Sequence, residues 1–322
     1  MLPALETNTT AEPAHKRDLL RRFLQTYWLR PENALWMTLR SLTLRQASFS
    51  APSVDLSCGD GAFSFLHFGG RFCESFDVFS STGNLDKVTR EHADMFDHVD
   101  DDYHPAIESR PRQSVSIGTD WKPALLTKAS RLGLYEQLFL HDNNRPLPWD
   151  DQSLATIYSN SIYWVENLEQ LLREIRRVLA PNGTLILQVK LDTMKQFSLE
   201  RWEKNLGETF VSIIGRGRFD TWPNLLSRSQ WEEQFAQAGF AIRNASPFVT
   251  GTHARLWDVG LRPIAPLLVK MANALESATR SEIKHDWVDL WMELLAPLCD
   301  CEFDGLGTGE PVEIQYELSP TT

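Results

Sequence analysis

The chain has 322 residues, with 32 basic against 43 acidic side chains and a formal net charge of −11. That balance lacks the cationic surface a phosphate backbone requires, so nucleic acid is excluded as a bulk partner. Four cysteines (Cys58, Cys73, Cys299, Cys301) are too few and too poorly spaced for a disulfide framework or a zinc knuckle, which suits a reducing, cytoplasmic setting. Met1 to Pro13 is polar, unlike a secretory leader, and no stretch nears the ~20 apolar residues of a membrane span, so no membrane partner is expected.

In chain order, residues 1–14 read as a disordered tail and residues 15–49 as two helices. Leu19, Leu20, Phe23, Leu24, Tyr27 and Trp28 recur at helical spacing beside Lys16, Arg17, Arg21 and Arg22, the pattern of an amphipathic helix. Pro31 opens the second, with Leu35, Leu39 and Leu42 on one side. Val54-Asp55-Leu56 is a short buried strand that runs into Ser57-Cys58-Gly59-Asp60-Gly61 and the apolar helix start Ala62 to Leu66, one βα unit. Residues 67–113, with Gly69-Gly70, the apolar piece Phe76 to Phe79 and the acidic run Asp94 to Asp102, read as an insertion.

Alternation resumes with strand Ser114 to Thr119, helix Pro123 to Leu132, strand Leu138 to His141 and strand Leu154 to Ser159. Asn167 and Gln170 start a helix whose Leu168, Leu171, Leu172, Ile175, Val178 and Leu179 form one stripe, stopped by Pro181-Asn182-Gly183. Thr184 to Val189 is an unbroken run of the kind a strand covered on both faces needs. Ser229 is placed to cap a helix, Trp231 to Ala238, which Gly239 ends before strand Phe240 to Ala245. Val312 to Leu318 is the last strand, and 247–311 before it is a mainly helical cap. The order predicts an α/β fold with a doubly wound, mostly parallel sheet, its ligand-binding domain formed by 50–246 and 312–319.

In such sheets ligands bind at the carboxyl ends of the strands near the switch point. Gly59 and Gly61 let a ligand approach the backbone there, while Asp55 can accept from an amine or from the turn's own amides. A carboxylate after the next strand is the natural acceptor for two ribose hydroxyls. Asp77 lies at the customary spacing, 77 − 55 = 22, and Asp120 far out, at 120 − 55 = 65. Asp120 is preferred because it follows a strand, precedes a helix and is itself followed by Asp142 at a spacing of 22.

The turn Asp55-Leu56-Ser57-Cys58-Gly59-Asp60-Gly61 resembles motif I of class I S-adenosylmethionine-dependent methyltransferases, with Ser57 in place of the first glycine. Leu134 to Asp142, Leu147 to Asp151, Ile157-Tyr158-Ser159-Asn160 and Arg173 to Gly183 resemble the segments that follow it in the small-molecule members of that family. The resemblance covers 54–66 and 114–190 well and 229–246 loosely. It implies a seven-stranded Rossmann-like sheet and S-adenosylmethionine as cofactor, with S-adenosylhomocysteine as product. Asp55, Ser57, Cys58, Gly59, Gly61, Asp120, Trp121, Asp142, Asn143 and Ser159 would then hold the cofactor, Trp121 against the adenine face. The implied reaction is in-line methyl transfer to a small-molecule acceptor at oxygen, nitrogen or carbon. Asn160, Tyr163 and His253 are the candidate catalytic residues, with Trp164, Arg216 and Arg218 as further acceptor contacts.

Plainer readings stand beside these. The cluster His92, Asp94, Asp97, His98, Asp100, Asp101, Asp102, His104 reads as a solvated acidic loop, and no metal is expected. The tryptophans pack against helices as readily as they line a pocket. A nicotinamide dehydrogenase fails on its fingerprint, whose third glycine would fall on Ser64. An aminopropyltransferase lacks its paired carboxylates. A non-catalytic S-adenosylmethionine sensor or scaffold subunit is the remaining alternative, and a homodimer is left open.

Overall fold

The computed structural model describes residues 11–82, 95–101, 103–215, 221–299 and 310–321. The expectations placed on Arg216, Arg218, His92, Asp94, Asp102 and Cys301 lie outside these residues. Helix α1 (Ala11–Thr26) starts a few residues ahead of its expected place, and α2 (Pro31–Leu44) follows with Pro31 in its first turn. After β1 (Ser53–Leu56) and α3 (Ala62–His67) come two short antiparallel strands, β2 (Arg71–Phe72) and β3 (Ile107–Ser109). The piece around Phe76 to Phe79 joins no strand. Phe76, Val78 and Phe79 are instead buried in the core beneath α1.

The main sheet then builds as β4 (Val115–Asp120), α4 (Pro123–Ser130), β5 (Tyr135–Leu140), β6 (Leu154–Ser159), α5 (Leu168–Val178) and β7 (Leu179–Lys190). Asn167 caps α5 by accepting from the Gln170 amide, as its sequence predicts. A run of short helices over 194–215, absent from the expectation, leads to α6 (Arg228–Gln237), β8 (Phe240–Thr250), α7 (Gly251–Val259), α8 (Ala265–Asn273), α9 (Ser277–Cys299) and β9 (Pro311–Pro320). The cap of α6 is Ser227 rather than Ser229, because the reciprocal capping box needs Gln230 three residues on. Strand β5 begins three residues early. It is the sheet's edge, half exposed, so its apolar signal is weak.

The expected seven-stranded, mostly parallel sheet is present, in the order β5-β4-β1-β6-β7-β9-β8. Asp55 sits level with Gly118 of β4 and Tyr158 of β6, both parallel neighbours. Only β9 runs antiparallel, wedged between β7 and β8. Alternate residues of the central strands feed two cores. Tyr158 and Ile186 face α1, α2, α3 and α9, whereas Ile157, Leu185 and Leu187 face α5 and α6. The chain steps outward from β1 to β4 and β5, then crosses back to β6 and β7. The carboxyl ends of all six parallel strands therefore share one rim, with a crevice where the order reverses. Among the described residues no helix is long and apolar enough to cross a membrane.

Candidate functional site

At the rim, the loop after β1 is fastened to the end of β4. Cys58 N donates to Thr119 O (2.7 Å), Gly59 N to Asp120 Oδ2 (3.1 Å) and Ser57 N to Thr119 Oγ1 (3.3 Å). Lys122 N donates to the other Asp120 oxygen (2.9 Å). Three loop residues take the left-handed conformation: Ser57 (φ 66°), Gly59 (φ 61°) and Gly61 (φ 76°). Ser57, standing where the resemblance puts a glycine, adopts it at a cost of about 1–2 kcal/mol, and Asn143 Nδ2 donates to its hydroxyl (2.8 Å).

The two glycines do different work. A Cβ at Gly59 would point into open space, with nothing within 4 Å, which leaves the loop's backbone accessible from outside. At Gly61 it would meet Tyr135 at 3.0 Å, Leu132 at 3.1 Å and Ala129 at 3.3 Å, so this glycine lets the loop lie flat on α4 and β5. Asp55 is turned inward: its Oδ2 accepts from Ser64 Oγ (2.5 Å) and Tyr135 Oη (2.7 Å) rather than from the loop amides.

The remaining candidates fall into two groups. Trp121 stands 63 % exposed beside Asp120, and Asp142 and Asn143 follow β5 on the same rim, Asp142 bonded to Asn144. Ser159 is buried at the end of β6, within 3.3 Å of Ser161 Oγ, and Asn160 donates to Tyr158 Oη (3.1 Å). These residues gather around the ends of β1, β4, β5 and β6. His253 is placed otherwise. It sits in the first turn of α7, where its Nδ1 accepts from Thr250 N (3.2 Å). Burial lowers its pKa while a backbone bond at Leu298 opposes the shift. It acts as a cap of α7. Asp77 is likewise engaged, accepting from Trp28 Nε1 (3.0 Å) and Arg280 Nε (2.8 Å).

A cluster that sequence reasoning missed lies at the tip of β7. The Lys190 ammonium pairs with the buried Glu313 carboxylate of β9 and lies 4.4 Å from the ring centre of Trp36, 5.1 Å from Trp222, 5.3 Å from Tyr163 and 5.7 Å from Trp257. Trp36 Nε1 (2.9 Å) and Arg40 Nη2 (3.2 Å) donate to the same carboxylate. The one sequence signal was a lysine at the end of β7 and a glutamate near the start of β9. Tyr163 thus belongs to this cage as well as to the segment after β6.

Burial raises the Asp55 carboxyl to about 6, partly offset by its Ser64 and Tyr135 donors and reinforced by Asp120. Asp120 is also raised by burial, against the amides of Lys122 and Gly59. A carboxyl raised in the fold favours the protonated native state. Its contribution to stability is therefore present below pH 3.8 and lost as pH rises through about 6. Thermal melts of the free protein are expected to show this loss between about pH 3.8 and 6, reduced in Asp55→Asn. A cationic ligand at the rim, preferring the ionised pair, should bind more tightly across the same window, by up to about tenfold per pH unit. An affinity flat with pH would remove Asp55 and Asp120 from the site.

Residues 103–187, from ahead of β3 into β7, match the family model described as a methyltransferase domain. A curated relative, malonyl-(acyl-carrier protein) O-methyltransferase 1 of Coxiella burnetii, is 34 % identical over 92 residues, 28 % of this chain. The match spans 30 % of that relative's length. Among solved structures, a putative S-adenosylmethionine-dependent methyltransferase from Listeria monocytogenes aligns with a TM-score of 0.46 at 10 % identity, covering 89 % of this chain and 99 % of that one. An S-adenosylmethionine-dependent methyltransferase from Mesorhizobium loti gives 0.41 at 13 % identity, covering 88 % and 96 %.

Proposed function

Since the chain carries a methyltransferase domain of the class I S-adenosylmethionine-dependent type, we propose that it transfers a methyl group from that cofactor to a small-molecule acceptor by in-line displacement. The observation that carries this reading is the division of labour in the β1 loop. Gly59 leaves its outer face open directly beside the Asp120 carboxylate, while Gly61 and Asp55 secure its inner face.

The residues present suit the cofactor. Asp120 accepts the Gly59 amide on one oxygen and the Lys122 amide on the other, and further lone pairs suit a pair of ribose hydroxyls. Trp121 offers an exposed ring for adenine to stack on, and Asp142 and Asn143 offer polar atoms for its edge. Asp55, Asp60, Asp120 and Asp142 give the rim the negative charge that suits a sulfonium and an ammonium. When bound, the cofactor supplies a methyl group already activated by its positive sulfur. The protein's own share is alignment: Asn160 at the end of β6 holds the acceptor in line, and the buried rings exclude water. His253 is committed to capping, so no histidine base is assigned, and the acceptor's lone pair attacks once its proton has left to solvent or a rim carboxylate.

Calorimetry with S-adenosylhomocysteine, together with methyl transfer from labelled cofactor across a metabolite panel, tests this. The wild type should bind and turn over. Asp120→Ala should weaken binding at least tenfold, whereas Asp77→Ala, losing the Trp28 and Arg280 bonds, should lower the melting temperature and keep the affinity. Tight binding without turnover on any acceptor would favour the non-catalytic sensor. No binding would end the proposal.

A further inference from the structure

Ser57 holds a backbone conformation that its side chain disfavours. A φ of 66° crowds its Cβ against the following carbonyl, a clash that glycine escapes and serine does not. The residue's own amide does little to hold it there, since Ser57 N reaches Thr119 Oγ1 only at 3.3 Å. The hydroxyl is better placed. It accepts from Asn143 Nδ2 at 2.8 Å, across 86 residues of chain. Such a bond stabilises by an amount of the same order as the backbone strain costs, so the one offsets the other.

Asn143 is in turn held still. In its turn after β5, Asp142 Oδ1 accepts from Asn144 N (2.9 Å) and Asn144 Nδ2 (3.0 Å), and Arg145 N donates to Asp142 O (2.9 Å). Asn144 Oδ1 accepts from Glu166 N (2.9 Å), which fastens the same turn to the segment after β6. Among the described residues the Ser57 hydroxyl is the one hydrogen-bond partner of the Asn143 side chain, whose Oδ1 is buried without any. The turn is therefore a brace, anchored beside β6 and reaching through Asn143 to the first residue of the β1 loop. Beyond Ser57, the Cys58 and Gly59 amides are tied to Thr119 and Asp120, so a backbone rotation at Ser57 would disturb both bonds and the open face at Gly59.

Resting on the methyl-transfer reading above, we infer that Asn143 is a positioning residue for the cofactor: its side-chain amide holds Ser57 in the left-handed conformation and so keeps the β1 loop in its binding shape. Ser57 and Asn143 together do what a glycine at that place in the loop would do alone. Without the amide, Ser57 relaxes toward negative φ, the binding shape becomes a smaller share of the population, and the apparent affinity falls by that share. The dependence vanishes once the residue carries no Cβ, because glycine takes positive φ as readily as negative. A direct contact from Asn143 to the cofactor would show no such dependence.

The test is a double-mutant cycle on the full chain, read by calorimetry with S-adenosylhomocysteine. N143A is expected to weaken binding about tenfold, S57A to weaken it as much, and the two together to weaken it no more than about twofold beyond either. In the S57G background, N143A should change the affinity by less than about twofold. An equal loss from N143A in the wild-type and S57G backgrounds would make Asn143 a direct cofactor contact and overturn the inference, and N143A binding like the wild type would overturn it too. Both results would leave the methyltransferase reading intact. Should N143A fail to fold, S57A against S57G carries the same comparison: S57A is expected to bind about tenfold more weakly, and equal affinities would overturn the inference. Failure of the wild type to bind S-adenosylhomocysteine would instead remove the parent reading and this one with it.

Discussion

Gly59→Val is expected to lower affinity for S-adenosylhomocysteine by about a hundredfold, equivalent to about 2.7 kcal/mol, while Gly61→Val is expected to lower the stability of the fold. A side chain at Gly59 would stand in the open space beside Asp120 and displace whatever lies there. The backbone at φ 61° adds a strain of about 1–3 kcal/mol for a β-branched residue, so Gly59→Ala serves as the control that carries most of the strain and less of the bulk. At Gly61 the added atoms would collide with Tyr135, Leu132 and Ala129. Overpacking of that kind costs about 1–3 kcal/mol before the φ 76° strain is counted. Calorimetry for the first variant and thermal melting for the second separate the two roles. A Gly59→Val protein with wild-type affinity would show that the ligand does not lie across this loop.

Glu313→Gln is expected to destabilise the protein by about 3–5 kcal/mol, the range for removing one partner from a buried ionic group. Burial by itself would raise this carboxyl, yet Lys190 and Arg40 hold it below its ordinary range, so it is ionised at neutral pH and its charge cannot be lost quietly. Neutralising it leaves the Lys190 ammonium among the rings of Trp36, Trp222, Tyr163 and Trp257 and the buried Arg40 guanidinium without its carboxylate, and weakens the bond from Trp36 Nε1. Because Trp36 and Arg40 stand on α2 and Glu313 on β9, the loss should also loosen the N-terminal helices. Denaturant unfolding measures it, and the double variant Glu313→Gln with Lys190→Met should recover part of the stability. A loss under about 1 kcal/mol would mean that water or neighbouring dipoles already screen the cluster.

The contrast between Asp55 and Glu313 explains why the first was foreseen and the second was not. Asp55 sits in a strand, turn and helix start that occupy a dozen consecutive residues, so its place beneath the loop is a local property. Even there the reading went astray in detail, because Tyr135, 80 residues on, is one of the donors that turn the carboxylate inward. Glu313 meets Trp36 across 277 residues and Lys190 across 123. No local pattern encodes such a meeting, and a lysine at a strand end reads as an ordinary solvated terminus.

By itself the sequence determined the succession of strands and helices, the apolar character of β7, the cap on α5 and the glycine turn after β1. Periodicity and turn chemistry are local properties, settled by side chains within a few residues of each other. Only the tertiary structure decided that β9 enters antiparallel between β7 and β8, and that three charges and four rings meet at the tip of β7. Those outcomes depend on which distant surfaces bury each other, and whether a charge ends up in water or among aromatic rings is fixed at that step alone.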